Sequence, residues 1–174
     1  MSFQRTEAAN LRQGDVRLLG TPTAQHLLTT HLVARLAYTG KDGAPRLIPV
    51  NFLWTGQELV VGAFAGTYKV RDLGAHPDVA VCIDSADGPP QVLMLRGTVT
   101  VTEVDGVLPE YATMQRAVMG PEAGDDYLNA IDKPGLRMAR IGLRPTWVGL
   151  LDFQSGRLPG RTPQPVLAAF GVGQ

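Results

Sequence analysis

Hydrophobic and polar positions change period several times along the chain, and each change marks a new element. Residues 1–20 are polar and weakly periodic and read as a flexible N-terminal arm. Thr21 followed by Pro22 has the signature of an N-cap with proline in the first helical turn. Ala24, Leu27 and Leu28 then share one helical face, which predicts a short helix. Over residues 32–65 the pattern gives way to three apolar, β-rich segments: LVARLAYT (32–39), PRLIPVNFLW (45–54) and ELVVGAFA (58–65). The links GKDGA and TGQ between them are short and rich in residues that suit tight turns, so two consecutive hairpins are predicted. Helical spacing returns at 67–75, where Val70 and Leu73 are followed by His76 and Pro77, and again at 108–119 and 125–131. Strands are predicted at 79–84, 91–104 and 138–151, with a turn over 86–90.

Six antiparallel strands with short turns and late-inserted helices predict a mainly β domain with peripheral helices, closed or nearly closed into a barrel. Pro45 and Pro49 fall inside one strand and cannot donate to a ladder, so that strand is expected at an edge or at a bulge. The domain is assigned to residues 21–151. Residues 152–174, with three prolines and four glycines, form a C-terminal tail whose apolar stretch 166–170 is able to dock on a partner.

Composition narrows the functional classes. A chain of 174 residues, 44% hydrophobic, builds one core without disulfides. Sixteen basic residues balance sixteen acidic ones, which argues against nucleic-acid binding. Cys82 stands alone, no apolar run approaches the roughly 20 residues that cross a bilayer, and residues 1–15 lack a secretory apolar segment. A cytoplasmic protein without membrane spans is expected. Ser2, Ser85 and Ser155 lie in no nucleophile elbow, and His26, His31, His76 and Cys82 have no metal-ligand spacing, so no metal site is expected. His76 reads as a helix C-cap and Cys82 as a small apolar strand residue. Asp125 and Asp126 read as a solvated helix start. GAFAG (62–66) lacks the dinucleotide fingerprint. With so few acids, bases and nucleophiles, a cofactor is expected to carry any chemistry, and no catalytic residue is assigned.

The candidate site is the unit VGAFAGTYKVRDLGAHP (61–77). Thr67 sits where a helix begins, its hydroxyl able to cap, with the free N–H groups of the first turn beyond it. Lys69 in that turn opposes the helix dipole, by roughly 0.3–1 kcal/mol, unless an anion binds there. Arg46 on the neighbouring strand is able to supply a second, bidentate contact. The competing reading makes Lys69 and Arg71 solvated charges balanced by Asp72.

From residue 21 to about 104 the sequence resembles the flavin-binding split-barrel family of pyridoxamine 5′-phosphate oxidase and the related flavin/deazaflavin oxidoreductases. The resemblance lies in ARLAYTGKDGAPRLIPVNFLW, TYKVRDLGAHPDVAVCID, VLMLRGTVTV and the spacing of Lys69, Leu73 and Pro77. It implies a six-stranded split β-barrel. It also implies that Arg46, Leu47, Ile48, Pro49, Val50 and Asn51 run along the isoalloxazine of FMN. Thr67, Tyr68 and Lys69 then stand at the family's Ser-Arg-Lys phosphate turn, with Ala63 among the cofactor-binding positions. A homodimer with two cofactors at its interface is implied, Gln91 and Trp147 being candidate contacts; core packing is the competing reading of Trp147.

Two departures shape the functional expectation. FQSGRLPGR (153–161) keeps Arg157, Leu158 and Arg161 of the vitamin oxidase's terminal motif but lacks its tryptophan and has Pro159 for its histidine, so vitamin oxidase activity is not expected. DGAPRLIPVNF looks like the nitroimidazole-resistance branch, whose following-strand histidine is replaced here by Gly62 and Ala63. The expected function is an FMN-dependent oxidoreductase moving hydride from a nicotinamide donor to a small acceptor. One alternative is the deazaflavin coenzyme, its polyglutamate tail lying on Arg137, Arg140 and Arg144, against a solvated-face reading of those arginines. The other is a non-catalytic flavin- or haem-binding protein.

Overall fold

The computed structural model describes residues 11–85 and 88–169. Its strands are β1 (Val33–Thr39), β2 (Pro45–Asn51), β3 (Leu53–Trp54), β4 (Leu59–Phe64), β5 (Asp78–Asp84), β6 (Gln91–Asp105), β7 (Arg137–Leu143) and β8 (Trp147–Asp152). Its helices are α1 (Pro22–Thr30), α2 (Tyr68–Ala75), α3 (Pro109–Met119), α4 (Pro121–Ile131) and α5 (Gln164–Ala169), preceded by a 3-10 turn at Val16–Gly20. The strands pair antiparallel in the order β2-β1-β5-β6-β7-β4-β3, and β8 adds to β6. This is a split half-barrel, mainly β with peripheral helices. The 15-residue β6 joins its two parts: residues 91–96 lie between β5 and β8, and residues 99–105 pair with β7.

Eight strands replace the predicted six because two predicted strands are each divided. Residues 45–54 break at Phe52, which is buried and whose N–H bonds to the Leu32 carbonyl as the ladder with β1 ends. Residues 138–151 break at Pro145, which has no N–H to offer, and Thr146 donates to the Arg96 carbonyl at 2.9 Å. Gly97 makes this return possible, since a Cβ there would stand 2.9 Å from the Arg144 carbonyl oxygen.

The period-2 pattern aims Ala34, Leu36, Val79, Val81, Ile83, Leu93 and Leu95 inward, and Ala24, Leu27 and Leu28 of α1 join the same core. Thr21 caps α1 as predicted, accepting from Ala24 N–H at 3.3 Å and donating to Leu18 O at 2.7 Å. His76 closes α2, its N–H reaching the Asp72 carbonyl. Helix α4 starts four residues before the predicted 125: Gly120, at φ +87°, lets α3 turn directly into Pro121, and Asp125 pairs with Arg116 at 2.7 Å instead of opening a helix.

Residues 11–20, read from sequence as part of a flexible arm, are docked. Gly14 N–H donates to Val148 O at 2.8 Å, Gln13 bonds both backbone groups of Leu150, and Leu18 is fully buried. A 3-10 turn and an extended anchor have no α-helical or strand period, which is why the pattern missed them. The remaining arm, 1–10, the tip of the 86–90 turn and the end of the 166–170 stretch lie outside the described residues. Within 164–169, Val166 is exposed.

Asp152 fastens the start of the C-terminal segment. Its buried carboxylate accepts from Thr23 Oγ1 at 2.8 Å and from the N–H groups of Gln154 and Ser155 at 3.1 and 3.2 Å. Burial pulls its pKa up, but these hydrogen bonds prevail and hold it below the ordinary 3.8. A depressed carboxyl pKa contributes stability above the unfolded value, which is lost as pH falls through the folded one. Asp152→Asn is therefore expected to cost about 1–3 kcal/mol at pH 7, with the gap to wild type closing in acid. Urea unfolding at pH 7 and near pH 3 checks this, and an undiminished gap in acid would contradict it.

Candidate functional site

Pro45 and Pro49 withhold the N–H groups a second ladder would need, and β2 pairs with β1 alone. On the other side of the split, β3 covers only Leu59 and Val60 of β4. Strands β2 and β4 thus approach without pairing, and a cleft of about 290 Å³ opens between them. Pro49, Val50 and Asn51 line it from β2, residues 61–64 from β4, Thr67 and Lys69 from the start of α2, and Tyr111, Met114 and Gln115 from α3.

The start of α2 differs from the predicted cap in one respect. The Thr67 hydroxyl does not accept from the helix but donates to the Phe64 carbonyl at 2.9 Å. The N–H groups of Tyr68 and Lys69 consequently have no partner among the described residues, while Val70 and Arg71 reach the Thr67 carbonyl. Asp72 was the predicted balance for Lys69 and Arg71 together, yet Arg71 alone takes it, at 2.7 Å. Lys69 is half-buried with no ion-pair or hydrogen-bond partner among the described residues, and burial pushes its pKa below the ordinary 10.5. A desolvated cation in the first turn of a helix whose leading N–H groups lack partners among the described residues is electrostatically suited to an anion.

Helix α3 walls the cleft opposite β2. It lies against β4 because position 62 is glycine: a Cβ there would come within 2.8 Å of the Tyr111 ring. Tyr111 stands edge to face with Phe64 at 6.0 Å and shares a hydrogen bond of 2.8 Å with Tyr127 of α4. Burial, and then the Tyr127 contact, push the Tyr111 phenol above its usual range, so it stays protonated. Arg140 clamps the helix to the sheet through Glu110 at 2.8 Å and Glu58 at 2.9 Å. Sequence reading recognised Tyr111, Met114 and Gln115 as helical but not as cleft residues. The one available signal was the bare Gly62 in an otherwise bulky strand.

Six of the candidate cofactor positions meet in the cleft: Pro49, Val50, Asn51, Ala63, Thr67 and Lys69. Ile48 packs against the core from β2, and its neighbour Leu47 points outward, 67% exposed. Tyr68 is exposed beneath the Arg71 guanidinium. The structure does not bring Arg46 to Lys69: it pairs with Asp42 at 2.7 Å and lines a separate hollow with Lys41, Arg71 and Asp72. Gln91 heads β6, separated from β2 by β1 and β5, and stands opposite Asp152 in the ladder with β8. Trp147 lies under Arg96 at 4.0 Å on β8. Arg157 is spent on the carbonyls of Leu150 and Leu11.

The sequence comparison assigns this fold to a family. The family model described as pyridoxamine 5′-phosphate oxidase matches residues 21–141. The chain belongs to the pyridoxamine 5′-phosphate oxidase family. No curated protein matches it significantly. Among solved structures, an F420 reductase is 24% identical, with a TM-score of 0.51 over 72% of this chain and 94% of that one. A pyridoxamine 5′-phosphate oxidase-type protein of Listeria innocua is 19% identical, with a TM-score of 0.53 over 73% and 94%. HutZ, the haem storage protein of Vibrio cholerae, is 16% identical, with a TM-score of 0.51 over 71% and 88%. At these identities the likeness is one of fold. Among the described residues no helix is long and apolar enough to cross a membrane.

Proposed function

We propose that the cleft holds FMN, with its phosphate at Lys69 and the first turn of α2 and its ring along residues 48–51 of β2 beside Ala63. The protein then acts as an oxidoreductase that takes hydride from a nicotinamide donor and passes it to a small acceptor. The observation that carries this reading is Lys69: a half-buried cation without a partner among the described residues, in the first turn of α2 where two N–H groups are likewise unpaired, lining the cleft. The chemistry FMN supplies when bound is two-electron transfer as hydride, oxidising the donor and reducing the acceptor. The chain's own part is binding and orientation. Lys69 and Tyr111 are the titratable side chains of the lining. Lys69 faces the phosphate, and Tyr111 keeps its proton, held to Tyr127.

Two features favour FMN over the alternatives. Arg137, Arg140 and Arg144, the candidate groove for a polyglutamate tail, already face acids: Arg137 meets Glu103 and Asp105, Arg140 meets Glu58 and Glu110, and Arg144 meets Glu58. None of His26, His31 and His76 lines the cleft, so it offers haem no imidazole ligand. The visible spectrum of desalted protein after incubation with FMN, and separately with the deazaflavin coenzyme, tests the assignment. Flavin bands that survive desalting are expected. Retention of the deazaflavin alone would replace the FMN reading.

The outer face of β2, β1 and β5 supports a homodimer. Register places Leu47 beside Ala37 and Ala80, and Val33 is 48% exposed on the same face. The same row continues through Arg96 to Trp147, which puts Trp147 at the proposed interface. An exposed face of this kind, apolar at Leu47, Ala37, Ala80 and Val33 and polar at Arg96 and the Arg35–Asp84 pair, fits an association surface. Leu47→Asp, a surface change that spares the core, is expected to convert a dimer to a monomer in sedimentation velocity. A wild-type protein that sediments as a monomer would contradict the dimer.

A further inference from the structure

Gln115 on α3 is a buried polar side chain of the cleft, only 9% exposed, that makes no hydrogen bond among the described residues. Among the described residues no fully sealed polar side-chain atom lacks a partner, and Gln115 lines the cleft, so its amide keeps an opening toward it. The charged residues of α3, Glu110 and Arg116, are already paired. Arg116 is held by Asp125 at 2.7 Å, Arg140 by Glu110 and Glu58, and the Tyr111 hydroxyl by Tyr127. Lys69 is the one cation of the lining, and it stands at the α2 end. The rest of the lining near it is uncharged: the Tyr111 and Phe64 rings and Met114, with Pro49 and Asn51 on β2.

We propose that Gln115 is the specificity-determining residue of the cleft, selecting an uncharged planar acceptor that bears a carbonyl or amide group over one that bears a carboxylate or phosphate. This rests on the FMN reading, which commits Lys69 to the cofactor phosphate. A carboxamide offers a donor and an acceptor, which a neutral amide or carbonyl satisfies. A second anion would shed its water against this wall with no cation to meet it, and that cost is what discriminates.

Paired titrations with 2-naphthamide and 2-naphthoate, two flat probes that differ in charge, test this by calorimetry and by the shift of the bound flavin spectrum. They are run with and without FMN on wild type, Gln115→Leu and Gln115→Arg. Wild type is expected to bind the amide at least tenfold more tightly than the carboxylate. Gln115→Leu, which nearly keeps the volume, is expected to lose about tenfold on the amide, and Gln115→Arg to reverse the preference. The ratio of amide to carboxylate binding within each FMN-loaded variant is the readout, so a change in FMN affinity alone does not mimic it. Equal binding of the two probes by wild type, or an unchanged preference in Gln115→Leu, would overturn the proposal. If wild type fails to bind FMN, the cofactor reading falls; if it binds FMN and still binds the two probes equally, the role of Gln115 falls alone.

Discussion

Lys69→Ala is expected to weaken FMN binding by about 1.5–3 kcal/mol, roughly ten- to 150-fold, through the loss of a charged hydrogen bond. The same change should leave the flavin-free protein as stable as wild type, or slightly more so, because it removes a half-buried ammonium that has no partner among the described residues. A purely structural lysine would behave the other way round, losing stability first. The pH dependence follows from the sign of the shift. Burial favours the neutral amine, so the folded pKa lies below the ordinary 10.5. In the flavin-free protein the cost of the charged form is present below that pKa and is relieved as pH rises through it. A bound phosphate favours the charged form, so FMN affinity should decline with rising pH, beginning below the usual lysine range. Dissociation constants measured across alkaline pH check this, and Lys69→Ala should flatten that segment of the profile. An unchanged FMN dissociation constant in Lys69→Ala rejects the assignment.

Gly62→Ala is expected to destabilise the fold by about 1–3 kcal/mol although it adds a single methyl group. That methyl would stand 2.8 Å from Cδ2 and 2.9 Å from Cβ of Tyr111. The Cβ contact is decisive, because a rotamer change does not move it and α3 itself must shift. The shift should stretch the Tyr111–Tyr127 hydrogen bond and displace Gln115 and Met114, which belong to the same helix. Loss of stability and loss of ligand affinity should therefore arrive together. Pairing the change with Tyr111→Gly, which removes that Cβ, provides the check: adjacent groups couple, so the double variant should lose less than the sum of the two single ones. Strict additivity in urea unfolding would show that the contact does not hold α3 in place.

Much of the scaffold was legible because its signals are local. The Thr21–Pro22 pair announced a capped helix, and the two prolines of β2 announced an unpaired edge, which became one side of the cleft. Lys69 stood out as a cation in the wrong turn of a helix. What stayed hidden depends on contacts distant in sequence or on alternatives that local pattern does not rank. Spacing showed that Tyr111, Met114 and Gln115 share a helix, but not that this helix crosses β4 at Gly62. Arg46 had a choice between a phosphate and Asp42 across its own hairpin turn, and it takes the carboxylate four residues away. The Thr67 hydroxyl chose the Phe64 carbonyl over the helix terminus. Residues 11–20 dock through the Gly14 backbone bond, the Gln13 side chain and the buried Leu18, which leave no periodic trace.

The most direct test of the phosphate anchor compares FMN with riboflavin, which has the same ring and no phosphate, by equilibrium titration of the wild-type protein at neutral pH. If Lys69 and the free N–H groups of α2 hold the cofactor by its phosphate, FMN should bind at least tenfold more tightly than riboflavin, and the difference should shrink with added salt. Equal affinity for the two, or binding of neither, would contradict a flavin held at this helix terminus.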